Sequence, residues 1–350
     1  MNVKANKQQT TANSRRMPAG HSLWLGIETS CDETSAAIVR DGNEMLSNII
    51  ASQADIHRRF GGVVPEIASR QHLELVNGVV TEALQAAAIK LDDLTGIAVV
   101  NGPGLVGALV VGIATAKAMA LASGLPLLGI NHMAGHIYAN FLQSPQPEFP
   151  FVCLVVSGGH TDIIRMPEHL KFEVLGRTRD DAAGEVFDKT ARAMGLGYPG
   201  GPAIDRLAGK GDSEAINFPK AWLEERSYDF SFSGLKTAVL RYFQSHPDVP
   251  PEDIAASFQR AVVDVLAERA FRACDDKGVK RLLLAGGVAV NSELRQRFAA
   301  EAEQRGIELH IPAPILCTDN AAMIASVAHF RYLRGDSDSL FLDADANLPL

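Results

Sequence analysis

The sequence predicts an α/β fold of two similar lobes, because the same order of elements occurs twice along its 350 residues. Each half begins with three short apolar segments separated by turn residues, which is the pattern of a strand meander. Each half then continues with helical and extended segments in alternation. Pro145, Pro147 and Pro150 mark the junction between the halves. A single doubly wound sheet is the structural alternative, but paired meanders fit it poorly.

The first half is expected to contain three strands, then helix, strand, helix, strand and helix. Apolar residues at helical spacing, including Val76, Val80 and Leu84, predict the first of these helices. The expected segments are, in chain order, 23–27, 35–39, 45–50, 66–88, 97–101, a helix from 105, 127–130 and 132–142.

The second half is expected to repeat this order around a middle insertion. Its segments are 151–156, 161–165, 172–176, 182–194, 253–275, 281–285, 291–305, 307–311 and 318–334. This duplicated order is that of the actin, Hsp70 and sugar-kinase (ASKHA) architecture, whose nucleotide cleft lies between the lobes. The expected division is a disordered leader 1–22, an N-terminal lobe 23–146, a C-terminal lobe 147–337 and a tail 338–350.

Composition limits the class of protein. Hydrophobic residues make up 47% and charged residues 21%, which is ordinary for a globular cytoplasmic protein. The net charge of −8 argues against a generally basic surface, so a nucleic-acid partner would have to meet a local basic patch. The four cysteines are scattered and predict reduced thiols. The apolar run 105–122 is interrupted by Gly107, Gly112 and Lys117, and is interpreted as a buried helix, with no membrane partner expected.

Two strand-to-strand turns contain groups that suit a cleft site. The turn 28–34 contains the carboxylates Glu28, Asp32 and Glu33, which is more polar chemistry than a turn requires. The turn Ser157-Gly158-Gly159 lets backbone N–H groups approach a phosphate, although a plain hairpin turn has the same composition.

Two further segments suit a nucleoside. Gly286 and Gly287 permit close approach of a flat ring, and Asn291 can bind its edge or simply cap the next helix. The helix from about residue 182 follows two acids that the helix dipole explains, whereas Asp188 lies deeper and suits ribose hydroxyls. The segment 198–202 is expected to be a rigid loop that leads to Asp205.

A metal site is predicted from three residues. His132 and His136 are one helical turn apart, so both imidazoles lie on one face, and Asp319 begins the last long helix. Two histidines and a carboxylate suit Fe(II) or Zn(II). A zinc protease of the His-Glu-x-x-His type needs a glutamate after the first histidine, and Met133 stands there instead.

The motifs together resemble one family, TsaD, the tRNA N6-adenosine threonylcarbamoyltransferases. Besides the histidine pair, the resemblance rests on GIETSCDET (26–34), GGVVPE (61–66), GPGL (102–105), SGGHT (157–161), FDK (187–189), YPGGP (198–202), FSFSGLKT (230–237) and CTDN (317–320). It covers residues 23–334, and the metal histidines separate the chain from the shorter inactive paralogue. The leader and residues 343–350 depart from the pattern, because many relatives have a basic, Trp-containing tail.

The resemblance implies transfer of threonylcarbamoyl from threonylcarbamoyl-AMP to N6 of adenosine 37 in tRNAs that read ANN codons, with release of AMP. It implies one divalent metal, Fe(II) before Zn(II), on His132, His136 and Asp319. The substrate-binding positions that it implies are Val155, Val156, Ser157, Gly158 and Gly159 for phosphate and acyl groups, Asp188, Gly201 and Asp205 for ribose, and Asn291 for adenine. The implied partners are tRNA, a TsaB-type paralogue, a TsaE-type P-loop ATPase and an enzyme that supplies the adenylate.

The aryl amine N6 is a weak nucleophile and would benefit from a general base, for which Asp32 and Glu33 are the candidates. Two other functions stay open at this point. An ATP-dependent phosphotransferase or ATPase on the same fold leaves the histidine pair unexplained. A non-enzymatic scaffold in a larger complex would use the cleft only for regulation.

Overall fold

The computed structural model describes residues 20–220 and 227–350, which form two lobes around two five-stranded sheets. The predicted leader lies outside the described residues except for residues 20–22. Each sheet has helices packed against it, and each lobe has its own cluster of fully buried apolar side chains.

The first sheet takes its strands from residues 23–131. The elements of this half are β1 (Leu23–Glu28), β2 (Glu33–Arg40), β3 (Glu44–Ser52), α1 (Ala54–Arg58), α2 (Pro65–Ala86), β4 (Gly96–Gly102), α3 (Val106–Ser123), β5 (Leu127–Asn131) and α4 (His132–Tyr138). Short 3-10 turns lie at Leu91–Asp93 and Ala139–Leu142.

The second half repeats the scheme with additional helices. Its elements are β6 (Phe151–Val156), β7 (Thr161–Met166), β8 (Glu173–Arg177), α5 (Ala183–Ala193), α6 (Gly200–Ala208), α7 (Ser233–Ser245), α8 (Pro251–Lys277), β9 (Arg281–Ala285), α9 (Ser292–Arg305), β10 (Glu308–His310), α10 (Pro314–Cys317) and α11 (Ala321–Leu333). A 3-10 turn, Gly287–Val290, joins β9 to α9.

Both sheets have the same topology. The first has the order β3-β2-β1-β4-β5, and the second, read from its corresponding edge, has the order β8-β7-β6-β9-β10. In each sheet the first strand pairs antiparallel with the second and parallel with the fourth. The duplication expected from the paired meanders is therefore confirmed.

The segment 198–202, expected to be a loop, contains the first turn of α6. This helix begins at Gly200, and Pro202 lies in its first turn, where a missing N–H breaks no helical hydrogen bond. A Cβ on Gly200 would lie 2.5 Å from Asp188 Cα, so glycine permits the close crossing of α5 and α6. Gly-Gly-Pro is typical of a loop, and the contact between α5 and α6 that favours glycine here is not visible in the sequence.

Helix α11 packs against the first sheet, although it follows the strands of the second. Ala321, Met323 and Ala325 belong to the apolar cluster of the first lobe. Gly26 of β1 allows this approach, since a Cβ there would lie 2.9 Å from Ala325 N. The predicted boundary at residue 147 assigns α11 to the second lobe, whereas α11 packs on the sheet of the first lobe. As a result, Asp319 is brought next to α4.

Among the described residues, α3 is long and apolar enough to cross a membrane by length and composition. It packs against α2 and β4, and its buried residues include Leu109, Ile113 and Ala116. Only 33% of the helix is buried. The expected burial therefore holds for the face that carries Leu109, Ile113 and Ala116, whereas Val110 and Leu121 are exposed.

Candidate active site at the metal triad and nucleotide cleft

The predicted metal residues converge in the structure. Asn131 caps α4 by accepting hydrogen bonds from the N–H groups of Met133 (2.9 Å) and Ala134 (3.2 Å), which starts the helix at His132. The Nε2 atoms of His132 and His136 lie 3.6 and 3.2 Å from Asp319 Oδ1. The three ligand atoms all lie within 4.8 Å of one another.

Charge reinforces this arrangement. His132 Nδ1 lies 3.2 Å from Glu28 Oε2 and 3.1 Å from Ser30 Oγ, which leaves Nε2 directed to Asp319. Burial alone would lower the pKa of His132, but Asp319 and Glu28 outweigh it and raise the pKa to about 9. Burial would likewise raise the pKa of Asp319, but His132 and His136 hold it well below its usual range.

The His136 side chain provides the test of whether these residues fit a metal. The residue is only 1% exposed, its Nδ1 has no hydrogen-bond partner among the described residues, and its Nε2 lies 3.2 Å from Asp319 Oδ1 without the geometry of a hydrogen bond. A buried polar atom without a partner is costly, and a cation bound at Nε2 would satisfy it. Two imidazoles and one carboxylate are a donor set that Fe(II) and Zn(II) accept. The residues therefore fit a divalent transition metal.

The acidic turn between β1 and β2 lies near this triad. Asp32 accepts side-chain hydrogen bonds from Cys31 and Glu33, and Glu33 Oε1 accepts one from Ser52 Oγ at 3.1 Å. Burial, together with Asp32 and Asp319, raises the pKa of Glu33 to about 10. Glu33 is thus the carboxyl of this turn whose pKa burial raises, and its side chain hydrogen bonds to Asp32.

The glycine turn after β6 is held against the start of α5. Ser157 N–H donates to the His160 carbonyl at 2.8 Å, and the Ser157 carbonyl accepts from Gly184 N–H at 3.1 Å. A Cβ added to Gly158 or Gly159 would face open space. Burial, reinforced by His132 and His136, lowers the pKa of His160 to about 4. The turn thus lies between the metal triad and the space in front of α5.

The side chains of Val155 and Val156 do not reach that space. Both are fully buried, Val155 in the apolar cluster of the first lobe and Val156 in that of the second. A ligand could therefore contact only the backbone groups of these two predicted residues.

A cavity of about 200 Å³ lies beside the turn. Five of the predicted substrate residues line it, namely Gly158, Asp188, Gly201, Asp205 and Asn291. Gly287, expected to permit close approach of a flat ring, also lines it, whereas the remaining lining residues were not singled out as binding positions, namely Gly184, Phe187, Pro199, Pro202, Val288 and Val290. Most of them lie within or next to the motifs quoted above, and that position is the sequence feature that could have identified them. The apolar walls and few polar groups are typical of a small-ligand site.

The polar residues of the cavity already have protein partners. Asp188 Oδ1 accepts from Gly200 N–H at 2.7 Å and so caps α6. Asp205 accepts from Ser292 Oγ at 2.7 Å. Asn291 caps α9 through its Oδ1, which accepts from Leu294 N–H at 3.0 Å. The capping alternative for Asn291 is therefore observed, and its contact with adenine stays a prediction.

The two acids before α5 do more than complement the helix dipole. Asp180 Oδ1 accepts from Phe232 N–H at 2.8 Å, and Asp181 Oδ2 accepts from Ser233 Oγ at 2.7 Å. Lys189 and Lys236 also pair with Asp181. The dipole explanation is therefore incomplete, because the acids attach the FSFSGLK segment (230–236) to the front of α5.

Comparison with known proteins identifies the family. The model for "TsaD: tRNA N6-adenosine threonylcarbamoyltransferase" matches residues 44–326. The chain belongs to the TsaD family. A family member from Symbiobacterium thermophilum is 57% identical over 331 residues, which cover 94% of this chain and 97% of that protein. One from Clostridium perfringens (strain SM101 / Type A) is 55% identical over 332 residues, covering 94% and 98%. Both bear the name tRNA N6-adenosine threonylcarbamoyltransferase.

Solved structures support the fold. The chain is similar to full-length HypF in a phosphate- and nucleotide-bound form, with a TM-score of 0.62, 13% identity and coverage of 91% of this chain and 47% of that one. It is also similar to component A of (R)-2-hydroxyglutaryl-CoA dehydratase from Acidaminococcus fermentans, with a TM-score of 0.53, 15% identity and coverage of 90% and 98%. At these identities the likeness concerns the fold alone, and the predicted two-lobed ASKHA fold is confirmed.

Membership of the TsaD family makes the chain a transferase of the acyltransferase type that acts in threonylcarbamoyladenosine modification of tRNA. It also makes tRNA a substrate. The resemblance noted from the motifs is therefore confirmed at the level of family and enzyme class.

Proposed function

We propose that this chain transfers the threonylcarbamoyl group of threonylcarbamoyl-AMP to N6 of adenosine 37 in tRNAs that read ANN codons, releasing AMP in the cytoplasm. The observation that carries the proposal is the continuity of the site. The His132–His136–Asp319 triad lies close to His160 of the glycine turn, and Gly158 of the same turn lines the cavity. An acyl-adenylate spanning this turn would place its nucleotide in the cavity and its acyl group near the triad.

The cavity residues bind the nucleotide part in this proposal. Phe187, Val288 and Val290 offer apolar walls to the adenine, and Asn291 lies at its edge. Asp188, Gly201 and Asp205 face the ribose. The backbone of Val155–Gly159 meets the phosphate and the acyl group, because the open space where a Cβ would stand at Gly158 and Gly159 permits close approach of a ligand. AMP is the leaving group, so this pocket binds a substrate rather than an energy source.

His132, His136 and Asp319 would hold one divalent metal, with Fe(II) favoured and Zn(II) the alternative. When bound, such a metal supplies Lewis-acid stabilisation of negative charge on an acyl oxygen. Glu28 orients His132 from the opposite side of its ring, and the helix cap at Asn131 holds both histidines in register.

Asp32 is the stronger candidate for the general base of the two carboxylates in the turn. A base must be unprotonated, and burial beside Asp32 raises the pKa of Glu33, which favours the protonated form of that carboxyl. In this scheme Asp32 accepts the N6 proton and Glu33 stabilises the Asp32 carboxylate by hydrogen bonding. The family resemblance adds a TsaB-type paralogue, a TsaE-type P-loop ATPase and a supplier of the adenylate as proposed partners.

The test is mass spectrometry of nucleosides from tRNA incubated with threonylcarbamoyl-AMP, the purified chain and the proposed partners. Threonylcarbamoyladenosine should form with the intact chain and be absent with His132→Ala and Asp319→Ala. Release of γ-phosphate from ATP by the chain alone, unaffected by His132→Ala, would instead favour the phosphotransferase alternative. Normal tRNA modification in cells that carry only the His132→Ala protein would favour the scaffold alternative.

A further inference from the structure

Two buried histidines lie outside the metal triad and the cavity. His57 of α1 and His72 of α2 are both 0% exposed. Gln53, which is 1% exposed, lies between them and hydrogen bonds to both rings. Buried polar side chains need hydrogen-bond partners. The donor and the acceptor of each bond therefore show which segments these three side chains connect.

A hydrogen-bond partner that can only donate determines which ring nitrogen of His57 carries the proton. Val64 N–H lies 3.3 Å from His57 Nδ1 and can only donate, so Nδ1 accepts. The proton of the neutral ring is therefore on Nε2, which donates to Gln53 Oε1 at 3.2 Å. This orients the Gln53 amide nitrogen towards the Ala68 carbonyl at 3.4 Å and towards His72 Nδ1 at 3.5 Å.

A partner that can only accept determines which ring nitrogen of His72 carries the proton. The Cys31 carbonyl can only accept, so His72 Nε2 donates to it at 2.9 Å. His72 Nδ1 then accepts from Thr34 Oγ1 at 2.8 Å. Burial lowers the pKa of His72, in agreement with a neutral ring that has one donor and one acceptor nitrogen. Gln53 N–H reinforces the connection by donating to the Asp32 carbonyl at 3.0 Å.

The other end of this chain of bonds reaches the second lobe. We call residues 57–64, which comprise the end of α1 and the loop that follows it, the interlobe loop. Within it, Arg58 Nε donates to the Tyr198 carbonyl at 3.2 Å, and the Gly61 carbonyl accepts from the Arg192 guanidinium. Tyr198 precedes Pro199, which lines the nucleotide cavity. The second lobe therefore holds the interlobe loop next to the cavity.

We propose that His72 is a positioning residue which, through Gln53 and His57, couples the interlobe loop to the Cys31–Glu33 turn. Contact between the lobes around a bound nucleotide then places Asp32 for the transfer step. The inference deepens the proposed function and rests on it for the catalytic meaning of the turn. The coupling itself is structural and can be measured without the reaction.

Cys31 reports on the turn directly. It is the partly exposed cysteine of the four, whereas Cys153, Cys274 and Cys317 are fully buried. Burial and the hydrogen bond to Asp32 raise the pKa of the Cys31 thiol well above its usual value, so a turn held in place protects it from alkylation. Iodoacetamide labelling followed by peptide mass spectrometry therefore measures how firmly the turn is held.

Two substitutions separate positioning from simple packing. His72→Gln keeps a donor near the former Nε2, and His72→Asn keeps a polar group only near the former Nδ1. We expect His72→Asn to label at Cys31 about tenfold faster than the unaltered chain, and His72→Gln to label within about twofold of it. Equal labelling of both variants, or labelling of His72→Asn at the unaltered rate, would overturn the assignment.

Arg192→Ala tests the coupling at an exposed position where loss of folding is not expected. It should speed Cys31 labelling several-fold in the unaltered background, because it releases the Gly61 carbonyl, and should add nothing in the His72→Asn background. Fully additive effects would mean that the loop acts on the turn without His72, and no effect of Arg192→Ala on Cys31 would mean that the loop and the turn are independent. If His72→Asn folds poorly, the single variant Arg192→Ala still tests the coupling, because it must speed Cys31 labelling by itself.

Transfer kinetics connect the coupling to the proposed function. His72→Asn should lower kcat about tenfold with KM for threonylcarbamoyl-AMP within about twofold, since misplacing a reacting group affects the chemical step. His72→Gln should restore most of kcat. Absence of transfer by the unaltered chain would sink the proposed function while leaving the labelling result intact. Unchanged kcat in His72→Asn despite faster labelling would overturn the placement of Asp32 as the purpose of the coupling.

Discussion

Glu28 Oε2 lies 3.2 Å from Nδ1 of His132, so the last residue of the first strand orients the first ligand of the metal triad. Glu28 is completely buried and also accepts from Ser30 N–H at 2.6 Å. A carboxylate behind a metal-binding imidazole defines its tautomer and increases its basicity. The β1–β2 turn thus supports the metal site as well as supplying the acidic pair.

We therefore expect Glu28→Gln to weaken binding of Fe(II) or Zn(II) by about 10- to 100-fold. The amide keeps the shape of the side chain but removes its charge from the imidazole. Competition with a chelating dye measures the metal Kd, and Ser30→Ala serves as the control, because it removes only the hydroxyl partner of His132. An unchanged Kd in Glu28→Gln would contradict the supporting role.

A second prediction concerns pH and the Glu33 carboxyl, whose pKa burial and Asp32 raise from 4.5 to about 10. Between these values the folded chain holds a proton that the unfolded chain has lost, so stability falls as pH rises through this range. Glu33→Gln cannot lose that proton. Its Tm should match that of the unaltered chain near pH 4 and exceed it increasingly towards pH 9. Thermal unfolding at several pH values is the measurement, and a difference that does not vary with pH would contradict the shift.

The crossing of α11 over β1 leads to a third prediction. Gly26→Ala should destabilise the fold by ~1–3 kcal/mol, because the new methyl group meets the backbone of α11. It should also weaken metal binding, since α11 places Asp319. Gly78→Ala in α2 is the matched control, because its Cβ would face open space, and it should stabilise by ~0.5–1 kcal/mol. Chemical denaturation measures both, and equal effects would refute the close-approach argument.

The fourth prediction addresses the apolar wall of the cavity. Val290 is 37% exposed there, and Val290→Ser should weaken AMP binding by about tenfold through loss of apolar contact with the adenine. Val106→Ser, an equivalent change at a 53% exposed valine on α3, should leave AMP affinity unaltered. Isothermal titration calorimetry of AMP with both variants distinguishes the two. An equal AMP Kd for Val290→Ser and the unaltered chain would place the adenine elsewhere.

Much of the site was predictable because motif and position are properties of the chain itself. The one-turn spacing of His132 and His136 places both rings on one helical face wherever that helix packs. The glycine turns were equally visible, since Gly158 and Gly287 both line the cavity. The partners of these residues were not predictable. Nothing in the local pattern indicates that Asp188 caps α6 or that Asp181 binds Ser233.

The sequence by itself determined the duplicated order of elements, the family and the three candidate metal donors, because periodicity and motifs are encoded locally. The tertiary structure alone decided how these parts meet. The packing of α11 on the first sheet brings Asp319 to the histidines, and burial beside Asp32 raises the pKa of Glu33. The packing of α1 and α2 beside the β1–β2 turn forms the path from His57 to Cys31. Distances between side chains from distant parts of the chain, and the loss of water around them, exist only in the folded molecule.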